Sequence, residues 1–310
     1  MVNCTHRIIV FTRKSKIARS RERGDRGEID MGVYYIDGHF VDENEAVLPV
    51  TDLAILRGYA VFDFLRTYNG HPFHLEAHLR RLQNSAALIS LDCPWSLESL
   101  IDIVDQTLAR NDYAESNIRL LVTGGDSEDS ISPGQNPRLL VMVRPVKPFP
   151  EVWYQEGVKI ITARLNRYIP GAKSTDYIRA IVTLRDAEAV GAIESVYMNA
   201  ADQVLEGTTS NLFIVRQNVV ITPSDDILPG ITRDVLLDLL QPDIPVELRP
   251  VSRQELLTSD EAFMASSTKE VVPVVQVDDQ GIGSGIVGPV TRKVLERFRN
   301  YTEGYGKESS

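Results

Sequence analysis

Three prolines within six residues, from Pro145 to Pro150, divide the chain near its middle. Proline fixes its backbone φ angle and has no N–H to donate, so this segment can continue neither a helix nor a central strand. A chain of 310 residues is long enough for about two domains of ordinary size. We therefore expect an N-terminal extension at 1–30, a small domain over 31–144, a linker over 145–150 and a large domain over 151–310.

Both halves mix helix-like and strand-like patterns without strict alternation. Before the linker, apolar spacing predicts helices over 75–89 and 97–108, and β-like runs predict a hairpin at 33–41 and strands over 118–123 and 139–143. After it, the patterns predict helices over 177–190, 232–240 and 289–298 and strands over 158–162, 195–198, 212–215, 219–221 and 271–277. Such a mixture favours an α+β (mixed α/β) fold over a doubly wound sheet.

Charge balance and cysteine content exclude several classes of function. The chain has 33 Lys+Arg against 43 Asp+Glu, a net charge of −10, whereas a nucleic-acid binder presents a basic face. Its two cysteines cannot form a disulfide framework, and no apolar run approaches the roughly 18 residues of a membrane span. We expect no nucleic-acid partner, no membrane partner and a reducing, cytoplasmic setting.

The first thirty residues have a different composition from the rest. They carry eight basic and four acidic side chains, which leaves a net charge of −14 for the remaining chain. Three interpretations fit this segment: an organelle presequence, a solvated tail, or translation from a start upstream of Met31. They stay open.

Two motifs suggest cofactors that their context does not support. The sequence 283–288 matches G-x-G-x-x-G, but only 22 residues follow, too few for a dinucleotide-binding βαβ unit. His71, His74 and His78 cluster with helical spacing, yet no matching cysteine accompanies them. We expect a turn that leads into the last helix at the first motif and no metal at the second.

The residues with the clearest chemistry lie in the second half. Lys173, one of only eight lysines, occupies a loop before a helix, where partial loss of water lowers a lysine pKa and leaves a nucleophilic amine. Glu206 begins a turn rich in hydroxyl groups at 206–213, and 228–234 opens a helix whose free N–H groups suit a phosphate. A second hydroxyl-rich turn follows at 265–270.

Five blocks in this order resemble the class IV (fold type IV) pyridoxal-phosphate aminotransferases, which include branched-chain and D-amino acid aminotransferases and aminodeoxychorismate lyase. The blocks are 57–63, 78–82, 171–173, 206–213, and 228–234 with 266–270, and the resemblance runs from about Gly32 to Phe298. It implies a two-domain enzyme with pyridoxal 5'-phosphate between the domains, and a homodimer.

The resemblance also implies a role for each matching residue. Lys173 would be the catalytic lysine that carries the cofactor and moves a proton once substrate displaces it. Glu206 would keep the pyridine nitrogen protonated, and the planar fork of Arg81 would bind the phosphate. The other implied cofactor-binding residues are Tyr177 near the ring hydroxyl, Leu228 against the ring, and Ile231, Thr232, Ser267 and Thr268 around the phosphate.

The substrate is less constrained by the sequence. Phe62 and Phe64 would form an apolar wall, and Arg119, with Arg57 or Arg66, would bind carboxylate. D-amino acid aminotransferases place a carboxylate-binding arginine where this chain has Gly124, whereas Arg57-Gly58-Tyr59 leans toward that branch. We expect transamination between a branched-chain-type L-amino acid and 2-oxoglutarate. A D-amino acid or (R)-amine transaminase and an aminodeoxychorismate-type lyase are the alternatives.

Overall fold

A computed structural model describes residues 32–241 and 243–307 of the chain. The interpretations of the basic segment 1–30 lie outside these residues. Up to Pro145 the elements are β1 (Val33–Ile36), β2 (His39–Asp42), a 3-10 helix (Glu43–Glu45), α1 (Leu53–Arg57), β3 (Ala60–Tyr68), β4 (His71–Pro72), α2 (Leu75–Leu88), α3 (Leu97–Leu108), β5 (Ser116–Thr123) and β6 (Arg138–Pro145).

The later elements carry most of the second half of the chain. They are α4 (Val152–Gln155), β7 (Val158–Arg164), α5 (Ile178–Ala189), β8 (Glu194–Met198), β9 (Gln203–Gly207), β10 (Asn211–Arg216), β11 (Val219–Thr222), α6 (Ile231–Leu240), β12 (Val246–Leu248), β13 (Val251–Ser252), α7 (Arg253–Leu257), β14 (Glu261–Ser266), β15 (Glu270–Val277), β16 (Gln280–Gly281) and α8 (Pro289–Glu303).

The first sheet is antiparallel, in the order β2-β1-β6-β5-β3-β4. Helices α2 and α3 pack on it because each carries an apolar stripe, which for α2 includes Leu79, Leu82 and Ala86. These residues form one buried cluster with Val61 and Leu65 of β3. The helices expected from this spacing are confirmed.

The second sheet has ten strands, in the order β12-β11-β10-β14-β15-β7-β8-β9-β13, with β16 beside β15. Strand β7 runs parallel to β8 and β15, whereas β10, β14 and β15 are antiparallel neighbours. The middle strands are buried almost throughout, and most of their residues are apolar. The expected mixed α and β fold is confirmed.

The sequence patterns missed several elements that matter for function. Asp63, Arg66 and Thr67 interrupt the apolar run of strand β3, and the last two residues of β9 fall within the turn predicted at 206–213. The short elements α1, α4 and α7 have too few residues for a periodic pattern. Strand β6 ends at Pro145 and the second sheet begins at Val158; the two-domain division remains a prediction.

The glycine-rich segment 283–288 forms a turn before α8, as expected. Glu261 caps the N-terminus of α8, since its carboxylate accepts hydrogen bonds from the N–H groups of Val290 at 3.0 Å and Thr291 at 2.7 Å. Within residues 32–241 and 243–307, no helix is both long and apolar enough to cross a bilayer.

Candidate active site

A cavity of about 550 Å³ lies where β3 and β5 face the start of α6 and three turns. The turns precede α5, join β9 to β10 and join β14 to β15. Small-molecule sites commonly have volumes of roughly 300 to 1,000 Å³. Most of the residues selected from the sequence line this cavity: Phe62, Arg81, Arg119, Lys173, Tyr177, Glu206, Leu228, Ile231, Thr232, Ser267 and Thr268.

Lys173 is fixed against the first sheet by its backbone. The Phe62 N–H donates to the Lys173 carbonyl at 2.9 Å, and the Lys173 N–H donates to Ser85 Oγ at 3.1 Å. The Lys173 Nζ lies 4.9 Å from the centroid of the Phe62 ring. Burial, reinforced by the positive charge of Arg81, lowers the pKa of Lys173 to about 8. Its amine is therefore a stronger nucleophile near neutral pH than that of an exposed lysine.

Arg81 is held in a bidentate pair with a buried carboxylate. Its Nε and Nη2 donate to the two oxygens of Asp63 at 2.9 and 2.8 Å, and its Nη1 donates to the Pro229 carbonyl at 2.9 Å. The His78 Nδ1 lies 2.7 Å from Asp63 Oδ1. Burial alone would raise the pKa of Asp63, but Arg81 and His78 lower it well below its usual range. Arg81 Nη2 also lies 3.3 Å from His78 Nδ1, so one N–H group of Nη1 has no contact among the described residues and can meet a ligand.

Glu206, on β9, pairs with Arg167 at the start of the loop that carries Lys173, and it is only 4% exposed. Its two oxygens accept hydrogen bonds from Arg167 Nη1 at 3.0 Å and from the Leu228 N–H at 2.9 Å. Arg167 also donates to the carbonyls of Pro170, at 2.8 Å, and Ala172. Burial raises the pKa of Glu206, and Arg167 opposes that rise. Arg167 thus ties the carboxylate to the loop that carries Lys173.

The start of α6 forms an anion-binding corner of the cavity. Gly230, the N-cap residue, offers no side chain to the first helical N–H groups, and the buried Thr232 Oγ1 has no hydrogen-bond partner among the described residues. A Cβ at Gly230 would lie 1.9 Å from Asn211 Oδ1, so only glycine fits this close approach. Buried polar atoms are rarely left without partners. A phosphate here would meet the helix N-terminus, Thr232 and Arg81, so the residues present fit pyridoxal 5'-phosphate.

Three neighbouring strands build the opposite wall. Phe62 pairs with Leu121 across β3 and β5, Phe64 pairs with Arg119, and Arg119 pairs with Met142 across β5 and β6. Directly paired residues share a face of the sheet, and all five line the cavity.

Arg119 is the cation on this apolar wall. Its guanidinium carbon lies 5.2 Å from the Phe62 ring centroid and 5.3 Å from that of Phe64. Burial lowers the pKa of Arg119, and the nearby Arg144 adds to this effect. The Tyr177 ring packs edge-on against Phe62 with centroids 5.6 Å apart. This end of the cavity suits an apolar group with a carboxylate.

Two of the five predicted substrate residues, Arg57 and Arg66, lie away from the cavity. Arg57 is exposed at the end of α1 and donates to the Leu56 carbonyl at 2.8 Å. Arg66 is on the same face of β3 as Phe62, but its Nη1 lies 3.7 Å from Glu270 Oε1, outside the cavity. Arg66 lies on the face of β3 that the strand alternation predicts. It is, however, four residues along the strand from Phe62, a distance of roughly 13 Å.

Gly124 also lies outside the residues that line the cavity. A Cβ at this position would come within 2.5 Å of the Tyr59 ring. The chain thus has no side chain where the D-specific enzymes of the resemblance place an arginine.

Sequence reasoning assigned no role to Arg167 and grouped His78 with possible metal ligands. The structure pairs His78 with Asp63, and within the described ranges no group of three His, Cys, Asp or Glu side chains could hold a metal ion. A signal was present, because His78 and Arg81 are three residues apart and so share a helix face. Arg167 carries no local signal, since its partners lie in a loop and in β9.

Comparisons with known proteins agree with this geometry. The model of the class IV aminotransferase family matches residues 60–277. A provisionally named branched-chain-amino-acid aminotransferase of Methanocaldococcus jannaschii is 33% identical over 280 residues, covering 88% of this chain and 97% of that protein. A D-alanine aminotransferase of Bacillus licheniformis is 32% identical over 270 residues, covering 85% and 95%.

A solved structure extends the likeness to three dimensions. The branched-chain aminotransferase of the thermophilic archaeon Thermoproteus uzoniensis, solved with norvaline, superposes with a TM-score of 0.80 at 29% identity, covering 89% of this chain and 96% of that one. The family match covers more than half of the chain, and the expected family is confirmed. The chain is a member of the class IV aminotransferases.

Proposed function

We propose that this protein transfers the amino group of a branched-chain-type L-amino acid to 2-oxoglutarate, with pyridoxal 5'-phosphate as its cofactor. One observation carries the proposal: a single cavity joins a desolvated lysine, a buried glutamate and an anion-binding corner to an apolar wall that contains Arg119. When bound, the cofactor supplies an electron sink that stabilises negative charge on the substrate Cα.

The residues of this chain divide the remaining work. The phosphate group would be bound by Arg81, Ile231, Thr232, Ser267 and Thr268. Glu206 would pair with the pyridine nitrogen and keep it protonated, while Arg167 opposes the rise that burial causes in the pKa of the carboxyl group. Leu228 would contact the ring and Tyr177 its hydroxyl group. Lys173 would bind the cofactor, and its amine, once freed by substrate, would move the proton at the substrate Cα.

The apolar wall supports the assignment of the amino donor. Phe62, Phe64, Leu121 and Met142 would surround a branched aliphatic side chain and exclude water from it. Arg119 would bind a carboxylate of 2-oxoglutarate when the acceptor occupies the same cavity. Because Arg57 and Arg66 lie outside the cavity, we do not include them among the substrate-binding residues.

A D-amino acid aminotransferase is the second candidate. The 32% identity to the Bacillus licheniformis D-alanine aminotransferase favours it, whereas Gly124 and its contact with Tyr59 weigh against it. Selection between enantiomers depends on which face of the substrate Cα would be presented to Lys173, so a direct comparison of donors is required.

A donor panel tests the proposal. Protein purified with pyridoxal 5'-phosphate would be mixed with 2-oxoglutarate and with L-leucine, L-valine, D-alanine or (R)-1-phenylethylamine, and glutamate formation would be measured. We expect L-leucine and L-valine to exceed D-alanine in kcat/KM by at least about tenfold, a difference of about 1.4 kcal/mol in transition-state binding. Lys173→Ala is the control and should form no glutamate.

The opposite donor order would refute the substrate assignment. Faster turnover of D-alanine would establish the D-specific candidate, and turnover of (R)-1-phenylethylamine alone would establish the amine transaminase. Absence of glutamate with all four donors would refute the proposed transamination.

We also propose that the protein is a homodimer. Ile178, Ile181 and Val182 lie on one face of α5, and each is more than half exposed, as is Tyr168 in the preceding loop. Contiguous exposed apolar side chains are typical of protein interfaces. The two-domain division at 145–150 and the cytoplasmic location remain predictions.

A further inference from the structure

A fully buried carboxylate lies behind the hydroxyl-rich turn that joins β9 to β10. Glu194, at the start of β8, has no exposed surface. It accepts hydrogen bonds from the Thr208 N–H at 3.1 Å, from the Thr208 hydroxyl, from Thr209 Oγ1 at 2.8 Å and from Ser210 Oγ at 3.3 Å. One acidic side chain therefore organises three successive residues of a turn that lines the cavity.

The counter-ion of Glu194 comes from a different turn. Lys269, between β14 and β15, places its Nζ 2.8 Å from Glu194 Oε2 and 2.6 Å from Thr209 Oγ1. Its side chain is only 13% exposed and lies outside the residues that line the cavity. Lys269 directly follows Ser266, Ser267 and Thr268, which do line it. The ion pair thus joins the two hydroxyl-rich walls of the cavity from behind.

The residue after Lys269 anchors the same turn on its other side. Glu270 has a φ of +58°, in the left-handed region that a side chain disfavours. Its carboxylate accepts a hydrogen bond from Arg299 Nε at 3.0 Å and lies 3.7 Å from Arg66 Nη1. The two consecutive residues of opposite charge, Lys269 and Glu270, are therefore bound to partners in separate elements. These contacts fix the direction of the turn between β14 and β15.

The ion pair between Glu194 and Lys269 contributes more to the positions of the two turns than to the net stability of the fold. Burial alone would raise the pKa of Glu194, but Lys269 and the hydroxyl donors lower it, so the carboxylate stays ionised. A buried ion pair gains little over an apolar pair, yet removal of one partner leaves an uncompensated charge. Loss of either charge would therefore release both turns together.

We propose that Glu194 and Lys269 are positioning residues that hold the 208–210 turn and the 266–268 turn at the separation that pyridoxal 5'-phosphate requires. Neither side chain touches the cofactor in this role. The proposal rests on the function proposed above.

Cofactor affinity of the cofactor-free protein tests this role. Pyridoxal 5'-phosphate would be titrated into the wild type, Glu194→Gln, Lys269→Met and the double variant, with the quenching of protein fluorescence as the signal. We expect each single variant to raise the Kd about tenfold or more, and the double variant to raise it by less than the product of the two single effects, since contacting residues act as a unit. As a control, Lys293→Met removes a lysine from a solvent-exposed ion pair, the 2.6 Å contact with Asp243, and should change the Kd by less than about twofold.

Thermal unfolding of the same cofactor-free proteins separates positioning from simple stability. A lower Tm together with a Kd within twofold of the wild-type value in both single variants would overturn the proposal. It would also be overturned if the increase in Kd of the double variant equalled the product of the two single increases. If Glu194→Gln does not fold, Thr209→Val replaces it, because it removes the hydroxyl that bridges both charges. Failure of the proposed function would look different: the wild type itself would bind no cofactor, which would overturn both.

Discussion

Lys173 and Arg81 carry like charges near the same cavity, and this proximity decides how the lysine behaves. An ammonium that is both desolvated and close to a guanidinium loses part of the stabilisation that water gives it. Asp63 offsets some of this effect, but it is committed to Arg81 and His78. The amine of Lys173 is therefore available at a pH where exposed lysines are protonated.

The pH dependence of cofactor capture checks this consequence. Only the neutral amine attacks the aldehyde of the cofactor, so the capture rate of the cofactor-free protein should rise with pH around the Lys173 pKa of about 8. Stopped-flow absorbance from about pH 6.5 to 10 would record the rate, with Nα-acetyl-lysine, which titrates near 10.4, as the reference. A midpoint near the reference value would contradict a desolvated lysine.

The same residues show what the sequence could predict. Lys173, Glu206 and Arg81 were assigned by their resemblance to family motifs, and each lines the cavity. The partners that tune them were not predicted, because Asp63 meets Arg81 only when β3 packs against α2, and Arg167 meets Glu206 only when its loop folds over β9. Local spacing identifies a reactive group more readily than the charges that tertiary packing places beside it.

Among the secondary-structure elements, strand β3 determines much of the arrangement of side chains in the candidate active site. Its alternation directs Phe62 and Phe64 into the cavity and Asp63 toward the helix that carries Arg81. The strand escaped the sequence patterns because polar residues on both faces interrupt its apolar run. Amphipathic helices α2 and α3 had clear stripes and were predicted almost to the residue.

The start of α6 provides a prediction for a single element. Gly230→Ala should weaken cofactor binding and lower stability by about 1 to 3 kcal/mol, since the new methyl group would overlap Asn211 and push the helix start out of place. Gly230 has a φ of −81°, so backbone strain does not contribute. Urea unfolding and cofactor titration would measure both effects.

Gly304→Ala is the matched control for this substitution. Gly304 also lies at a helix end with a negative φ, −86°, but a Cβ there would meet nothing closer than 3.8 Å. Equal losses in the two variants would show that the crowding at Gly230 is not the cause.

For the whole molecule, the exposed face of α5 predicts the oligomeric state. We expect the wild type to sediment at twice the chain mass of 34.6 kDa. Ile181→Glu should shift it toward the monomer, because a charge would be buried in an apolar interface. Ile286→Glu, at an exposed position in the 283–288 turn, should leave the dimer intact. A wild type that is monomeric at all concentrations would refute the dimer.

The two sheets contribute different parts of the site, and this separation has a consequence for how the enzyme can evolve. In the proposed function, the apolar wall of paired residues on β3, β5 and β6 would select the substrate, whereas most of the cofactor site would lie in turns and a helix that belong to the second sheet. Substitutions at Leu121 or Met142 would then alter which amino acid is accepted without disturbing Lys173. A gene of this design can acquire new substrates in small steps while its chemistry is inherited unchanged.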